Sequence, residues 1–322
     1  MLSSLDREIE RFKLEINLVE YAQSQGYSLD KRESSRASAV LRREADDDKI
    51  VVATGLDGHG IYFSVRDDRD NGTIVDFVQK RKGLNLGQVR QELRPWITGK
   101  SFSYCPPAFK PIAIDKDREQ VIRAYSKTLP SPTHPYLTGD RKLSAATLAD
   151  PRFRHVVRQD ENGNAIFPHY DRDGLAGYEI KNSGFTGFAP GGVKSVWHSS
   201  NLATAARVVI TESAIDALSH AQLTSDLGLA YVSFGGALSD RQKDLFKRLF
   251  QKALTRGALV VLATDNDKQG DRYADELLSL APKGLIIQRE RSSGKDWNED
   301  LSRIVARSSQ PEPQRPSSYR SR

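Results

Sequence analysis

The chain is poor in sulfur, with one cysteine, Cys105, in 322 residues. A single thiol excludes an internal disulfide and any zinc site built from several cysteines. No Cys/His pair surrounds it, so it is a poor nucleophile and reads as a passive linker residue. Long apolar runs are missing too. None approaches the roughly 20 residues that a bilayer span needs. The N-terminal stretch MLSSLDREIERFKLEINLVEYA places charges where a secretory leader needs an unbroken apolar segment. A cytoplasmic protein without a membrane partner is expected. No GxxxxGK[ST] phosphate loop occurs, so this chain is not expected to unwind DNA by itself. No internal repeat is visible.

What is present fits a soluble globular chain. Hydrophobic residues make up 38% and charged residues 28%, over a length that suits two domains with ordered extras. The net charge of +6 is compatible with a polyanionic partner, though mildly basic proteins are common.

Residues 1 to about 26 read as a helix, with Ile9, Phe12, Leu14, Ile16, Leu18, Val19 and Ala22 giving an approximate apolar face and Gly26 as its end. "KIVVATG" and "GIYFSVRD" read as strands joined by the turn "LDGHG", a hairpin signal. Two helices follow, "TIVDFVQKRKG" ending at Gly83 and "NLGQVRQELRPWI" ending near Pro95. The proline-bearing stretch from 98 to 115 has no periodicity and is assigned as a linker. Residues 116–204 begin with the helical "DREQVIRAYSKTL" and turn into short strands. "AIFPHYDRDGLAGYEIK" there reads as a β-hairpin turning at "RDG". The tail 305–322, rich in Pro, Ser and Arg, is assigned as disordered.

From Arg207 the pattern alternates strand and helix. The strands are "RVVITES", "LAYVSFGGA", "ALVVLATDND" and "GLIIQRE"; "AIDALSHAQL", "SDRQKDLFKRLFQKAL" and "DRYADELLSLA" are the helices between them. This spacing predicts right-handed βαβ units and a parallel sheet of four strands. In such sheets ligands bind outside the carboxyl ends of the strands. Glu212 ends the first strand, Asp265 and Asp267 the third, while Gly235 and Gly236 end the second just before a helix starting at Ser239. Carboxylates ending strands are also ordinary solvated caps. Two of them about 4 Å apart, however, repel by about 4 kcal/mol at a protein surface, and a divalent cation removes that repulsion. All-oxygen sites suit Mg²⁺ or Mn²⁺.

The pair "VVITESAIDALS" and "VVLATDNDKQGD" resembles the Toprim domain of bacterial-type primases, topoisomerases and related nucleases, strongly over 207–301. The resemblance implies a Rossmann-like α/β domain preceded by small α+β units. Glu212, Asp265 and Asp267 match its Glu and DxD, which implies catalytic and metal-ligating roles for them. Asp216 matches a second acid of the primase branch, with a solvated helix position as the alternative. In "SGKDWNEDL", Asp296 falls near the metals or acts as a helix cap, and Asn298 stands where that branch often repeats an acid. Lys295 is grouped with the nucleotide-binding residues. More weakly, "IFPHYDRDGLAGYEIKNSGFTGFAPGGVKSVWHS" is similar to the basic half of a primase core. Lys181 and Lys194 there match residues facing template or nucleotide, though each alone would pass for a surface lysine. Residues 1–97 look like a primase zinc ribbon in outline without its cysteines. His59 in "LDGHG" has no cysteine partners, so no zinc is expected.

The expected order is therefore a degenerate ribbon-like unit (1–97), a linker (98–115), a primase-core subdomain (116–204), a Toprim domain (205–304) and the tail (305–322). The function this implies is a primase-like nucleotidyl transferase. It would use Mg²⁺ or Mn²⁺, single-stranded DNA and nucleoside triphosphates to make short primers for a plasmid or mobile element, with a replicative helicase as a possible partner. Two alternatives stand: a Toprim nuclease using the same acids, and an inactive nucleic-acid-binding accessory protein.

Overall fold

The structure, a computed structural model, describes residues 4–55, 57–65, 70–98, 116–183 and 185–308. The assigned linker, apart from Thr98, and the chain beyond Ser308 lie outside these residues. The chain divides into two compact units: 1–118 with 184–192, and 119–183 with 193–322. Among the described residues no helix is long and apolar enough to cross a membrane.

The first unit starts with two helices where the sequence suggested one. These are α1 (Ser4–Glu15) and α2 (Leu18–Ser24). The break falls at Asn17, whose side chain accepts the Val19 amide and caps α2. An Asx cap competes with helix continuation, so an apolar face running through both segments does not keep them one helix. Strands β1 (Ser28–Leu29), β2 (Ser38–Arg43), β3 (Asp48–Thr54), β4 (Gly60–Ser64) and β5 (Asn71–Thr73) form an antiparallel sheet in chain order. The β3–β4 hairpin is the expected one, and His59 in its turn faces the carboxylates of Glu10 and Asp57. Helices α3 (Ile74–Lys82) and α4 (Leu86–Ile97) follow. Pro95 lies inside α4 rather than ending it.

The core of this unit joins Phe12, Tyr21, Leu41, Tyr62, Phe77 and Leu93. Tyr21 and Tyr62 meet the Phe77 ring edge-on at 6.1 and 5.2 Å. Above them Arg81 pairs with Asp48 at 2.8 Å and Asp70 at 2.5 Å, and Tyr62 donates to Asp70. Burial works to raise the Asp70 carboxyl, but Arg81 and the Tyr62 hydroxyl hold it below its usual value.

The second unit opens with α5 (Arg118–Ser126), β6 (Leu129–Pro130), a π-helical turn (Tyr136–Asp140) and α6 (Ala145–Ala149). Then come β7 (Arg158–Gln159), β8 (Ala165–Asp171) and β9 (Gly174–Asn182), antiparallel in the order β9-β8-β7-β6. β8 and β9 are the expected hairpin, closing at Asp171 and Gly174. After β10 (Phe185–Phe188), which groups with the first unit, the chain returns as β11 (Trp197–His198).

From Arg207 the order is β12 (Arg207–Thr211), α7 (Ala214–Thr224), β13 (Leu229–Ser233), α8 (Asp240–Arg256), β14 (Leu259–Leu262), α9 (Lys268–Ser279), β15 (Ile287–Arg289) and α10 (Trp297–Ser308). The sheet runs β11-β13-β12-β14-β15. Four strands are parallel, as expected, and β11 adds a fifth, antiparallel to β13, that two residues could not announce in the sequence. One apolar cluster joins β12 and β13 to α7 and α10 through Val209, Ile215, Leu218, Tyr231, Trp297 and Leu301. Another joins the opposite sheet face to α8 and α9 through Ile210, Val232, Phe246, Phe250, Tyr273 and Leu277. Burial on both faces explains why β12–β14 are continuous apolar runs rather than alternating ones.

Replacing Arg81 with methionine keeps the volume but, among the described residues, leaves Asp48 with only Arg43 as a cation, at 4.0 Å, and Asp70 with only Lys80, at 3.8 Å. The loss is expected to cost about 2–4 kcal/mol, less than a fully buried pair because these groups keep some water contact. Chemical denaturation of the full chain, with hydrogen exchange read over residues 60–82, checks it; unchanged protection there would remove Arg81 as a keystone.

Candidate functional site

The acids gather at the carboxyl end of the parallel sheet, each positioned by a local reason. Glu212 follows β12, and its Oε1 accepts the Asp265 amide at 3.0 Å. Its carbonyl accepts the Gly235 amide at 2.7 Å and the Gly236 amide at 3.3 Å, tying the loop after β13 to the end of β12. Asp216 lies in the first turn of α7 and is buried, not solvated. Its Oδ2 accepts from the cap residue Ser213 at 2.5 Å, and its Oδ1 accepts the Asn298 amide at 3.3 Å.

The sequence suggested that β14 continues to Asp267, presenting both aspartates by strand alternation. It stops at Leu262, because the next carbonyls are claimed by side chains rather than by the amides of a neighbouring strand. The Trp297 indole donates to Ala263 O, and Arg289 donates to the Thr264 and Asp265 carbonyls at 3.0 and 3.1 Å. Asp265 is therefore presented by a clamped loop. Asp267 is the N-cap of α9, its Oδ1 accepting the Gln269 and Gly270 amides, both at 2.9 Å. Asp296 accepts the Glu299 amide at 2.7 Å in the first turn of α10. Capping uses only Oδ1 of these two, which leaves Oδ2 of each for a ligand.

Asp296 reaches the other acids because its loop is stitched to theirs. The Asn266 amide donates to Lys295 O at 2.7 Å, and the Asn266 side chain donates to Ser292 O at 3.0 Å. Asn298 has a structural task here, donating to Arg141 O at 2.7 Å and Ser219 Oγ at 3.0 Å. Lys295 is exposed and joins this arrangement through its backbone rather than its ammonium.

The charges act on one another. Burial first, then the Asp267 and Asp216 charges, push the Glu212 carboxyl up to about 7 against the opposing Asp265 amide. Burial and Asp296 raise Asp216. Burial and the charges of Asp216, Glu212, Asp296 and Asp267 all raise Asp265, whose Oδ1 is buried without a hydrogen-bond partner among the described residues. Also among the described residues, no three His, Cys, Asp or Glu side chains form a ready-made metal cage. An open set of carboxylates still fits a hard divalent cation, since Mg²⁺ takes one or two carboxylates and keeps several waters. The orphaned Asp265 oxygen is the donor such an ion would satisfy.

The predicted lysines lie beside a carboxylate that the sequence reading missed. Glu179 on β9 is buried, with Lys181 Nζ 3.5 Å from its Oε2. Burial works to raise Glu179, yet Lys181, His169 and Lys194 together hold it low. His169, buried on β8, is kept below its usual value by burial and lies 2.8 Å from the Ser195 carbonyl. Lys181 also acts on Asp216, lowering it, so that cation is felt inside the acidic set. Lys194 donates to Ala237 O at 3.0 Å and is held low by burial. Gly235, at φ +66, lets Glu179 approach; a Cβ there would meet Glu179 Oε1 at 2.3 Å.

Residues 209–301 match the family model described as Toprim-like. They form a Toprim-like domain. The preceding residues 135–205 match a family described as a protein of unknown function (DUF3991). Solved structures similar to the chain include the primase fragment of the bacteriophage T7 primase-helicase protein. It shares 17% identity at a TM-score of 0.37, covering 52% of this chain and 70% of that one. Another is the bacteriophage T7 lagging-strand DNA polymerase interacting with primase domains bound to an RNA/DNA hybrid and dTTP, at 16% identity and a TM-score of 0.37, covering 52% and 85%. No curated protein matches the chain.

Two predictions follow the geometry of the Toprim-like domain. In α9 a Cβ at Gly270 would stand 2.0 Å from the Asp265 carbonyl oxygen. Gly270→Ala is expected to displace the Asp265 loop and lower the melting temperature, although alanine is the better helix former by about 1 kcal/mol. A neutral or stabilising outcome in calorimetry would contradict the contact. In EDTA, Asp265→Asn is expected to melt higher than wild type. A carboxyl raised in the fold loses its stabilising contribution steadily as pH climbs from its unfolded value toward its folded one, so the advantage should grow from about pH 5 to about pH 8. Melting curves across that range test the sign.

Proposed function

We propose that this chain is a primase-like nucleotidyl transferase that copies single-stranded DNA from nucleoside triphosphates. The observation that carries the reading is that Glu212, Asp216, Asp267 and Asp296 all act on the half-buried Asp265, while Lys181 acts on Asp216. A triphosphate is an anion that such a site can bind only with added positive charge, and both sources of it are accounted for. Glu212 and Asp265 would hold Mg²⁺ or Mn²⁺ directly, with the free oxygens of Asp267 and Asp296 and the Asp216 carboxylate around it. When bound, the ion would neutralise the carboxylates and polarise phosphoryl oxygens.

The chain's own residues do the rest. Arg289 and the Glu212–Asp265 hydrogen bond fix the two carboxylates before any ligand arrives, which lowers the reorganisation needed during transfer. Lys181 offers its ammonium to phosphate while Glu179 holds it against the sheet. Lys194 and Lys295 add positive charge for template or nucleotide. Short primers for a plasmid or mobile element are the expected product, and a replicative helicase or other replication protein is the partner this reading favours.

Purified protein incubated with single-stranded DNA, labelled nucleotides and Mg²⁺ or Mn²⁺ is expected to give extended products. Shortened DNA would assign a nuclease, and binding without either product an accessory protein. Glu212→Gln and Asp265→Asn should each reduce synthesis by about 100-fold or more, since loss of even an outer partner of a metal site costs 10- to 100-fold. Both variants should keep the wild-type circular dichroism. Lys181→Ala should weaken DNA binding with a shallower dependence on salt. Equal Mn²⁺ affinity by calorimetric titration, and equal synthesis, in wild type and Asp265→Asn would return the aspartates to simple strand and helix ends.

A further inference from the structure

A second site lies away from the acids, on the side of the sheet covered by α8. A groove of about 650 Å³ opens between α8, the residues around β11 and the end of β8. Its apolar wall is formed by Val196, Leu202, Val232, Leu245, Phe246 and Leu249. Four cations line it as well: Arg172, Arg248, Lys252 and Arg256. The Arg256 guanidinium is anchored by the Leu202 and Ala203 carbonyls. Arg172, Arg248 and Lys252 are exposed, and among the described residues none of them pairs with a carboxylate. The one acid in the wall, Asp171, is engaged by Arg241 at 2.6 Å. None of the five acids of the site above, and none of its lysines, lines this groove.

The order along α8 matters. Leu245, Arg248, Leu249, Lys252 and Arg256 recur at three- and four-residue steps, so they share one face of the helix. That face is an apolar stripe flanked by positive charge over two to three turns. Its complement is a segment with bulky apolar residues three or four apart and carboxylates beside them, as in helix-in-groove recognition. We propose that this groove binds an acidic amphipathic peptide segment of a partner protein, and the proposal does not depend on the primase reading.

Charge complementarity selects this occupant over the others within reach. The chain's own segment 309–322 carries Arg315, Arg320 and Arg322 against Glu312, so it has the wrong sign. A second copy carries the same net charge of +6. Single-stranded nucleic acid has the right sign but is favoured by flat aromatic platforms on which bases stack. Here the wall is mostly aliphatic; its one phenyl ring, Phe246, is buried edge-on against Phe234, and the two other rings, Tyr170 and His198, tilt against each other at 47° with centroids 5.3 Å apart.

The test is selection of a random dodecapeptide display library on the full chain, followed by fluorescence anisotropy with synthetic copies of the selected peptides. The expected peptides are net negative with two bulky apolar residues three or four positions apart. Their binding should weaken by about tenfold or more in the double variant Arg248→Glu/Lys252→Glu, as expected when like charges replace complementary ones. It should also weaken as salt rises. Both substitutions are on exposed positions of α8, and an unchanged melting temperature confirms that the fold survives. Selection of nothing, of neutral or basic peptides, or of acidic peptides that bind the double variant equally well would each overturn the proposal. Oligothymidylate that competes with the peptides and also loses affinity in the double variant would reassign the groove to nucleic acid and overturn it too.

Discussion

Carboxylate repulsion is the constraint that the second unit has to satisfy. Five acids, two from strand-end loops and three from helix starts, are brought to one edge of a sheet, where their charges make Glu212, Asp216 and Asp265 harder to ionise. The chain tolerates this by fixing them with bonds that do not depend on their charge. Backbone amides hold Glu212 to Asp265 and Asp216 to Asn298, two helix starts hold Asp267 and Asp296, and the Arg289 guanidinium grips the carbonyls of the loop between β14 and α9. What remains without a hydrogen-bond partner at the centre, among the described residues, is the buried Oδ1 of Asp265.

The residues beside that edge follow the same logic with the sign reversed. Glu179 is a buried acid whose proton affinity is kept low by two lysines and a histidine. Its charge works against the desolvation that pushes the Lys194 ammonium toward its neutral form, and it pairs with Lys181 at 3.5 Å. The two halves of the site are thus each internally balanced, and Lys181 is the residue through which one half acts on the other.

Much of this was legible in the sequence because it is written in local pattern. The alternation of apolar strands and amphipathic helices from Arg207 gave the parallel sheet, Ser239 gave the start of α8, and Glu212 stood at the expected end of its strand, whereas Asp265 and Asp267 fall in the loop and helix cap beyond theirs. The parts that were not legible depend on contacts between distant positions. β11 is two residues long and exists only because β13 offers it an edge. The end of β14 at Leu262 is decided by Trp297 and Arg289, more than twenty residues away. Glu179 reads as an ordinary outward residue of a hairpin until Gly235 is found against it. Gly270 looks like a helix-weakening glycine until the Asp265 carbonyl is found where its side chain would be. The cap at Asn17 was readable in principle, but the apolar face running through it hid the break.

The short flanks of the large sheet carry a consequence for how the protein behaves in concentrated solution. One outer strand, Trp197–His198, has two residues and the other, Ile287–Arg289, has three. The long apolar strands Arg207–Thr211 and Leu229–Ser233, which would template cross-chain ladders if they were outermost, are both interior. An outer strand this brief offers a neighbouring molecule too few free amides and carbonyls to add a stable ladder. The apolar sequences that build the domain are thereby kept out of reach of self-assembly into fibrous aggregates for as long as the sheet stays closed.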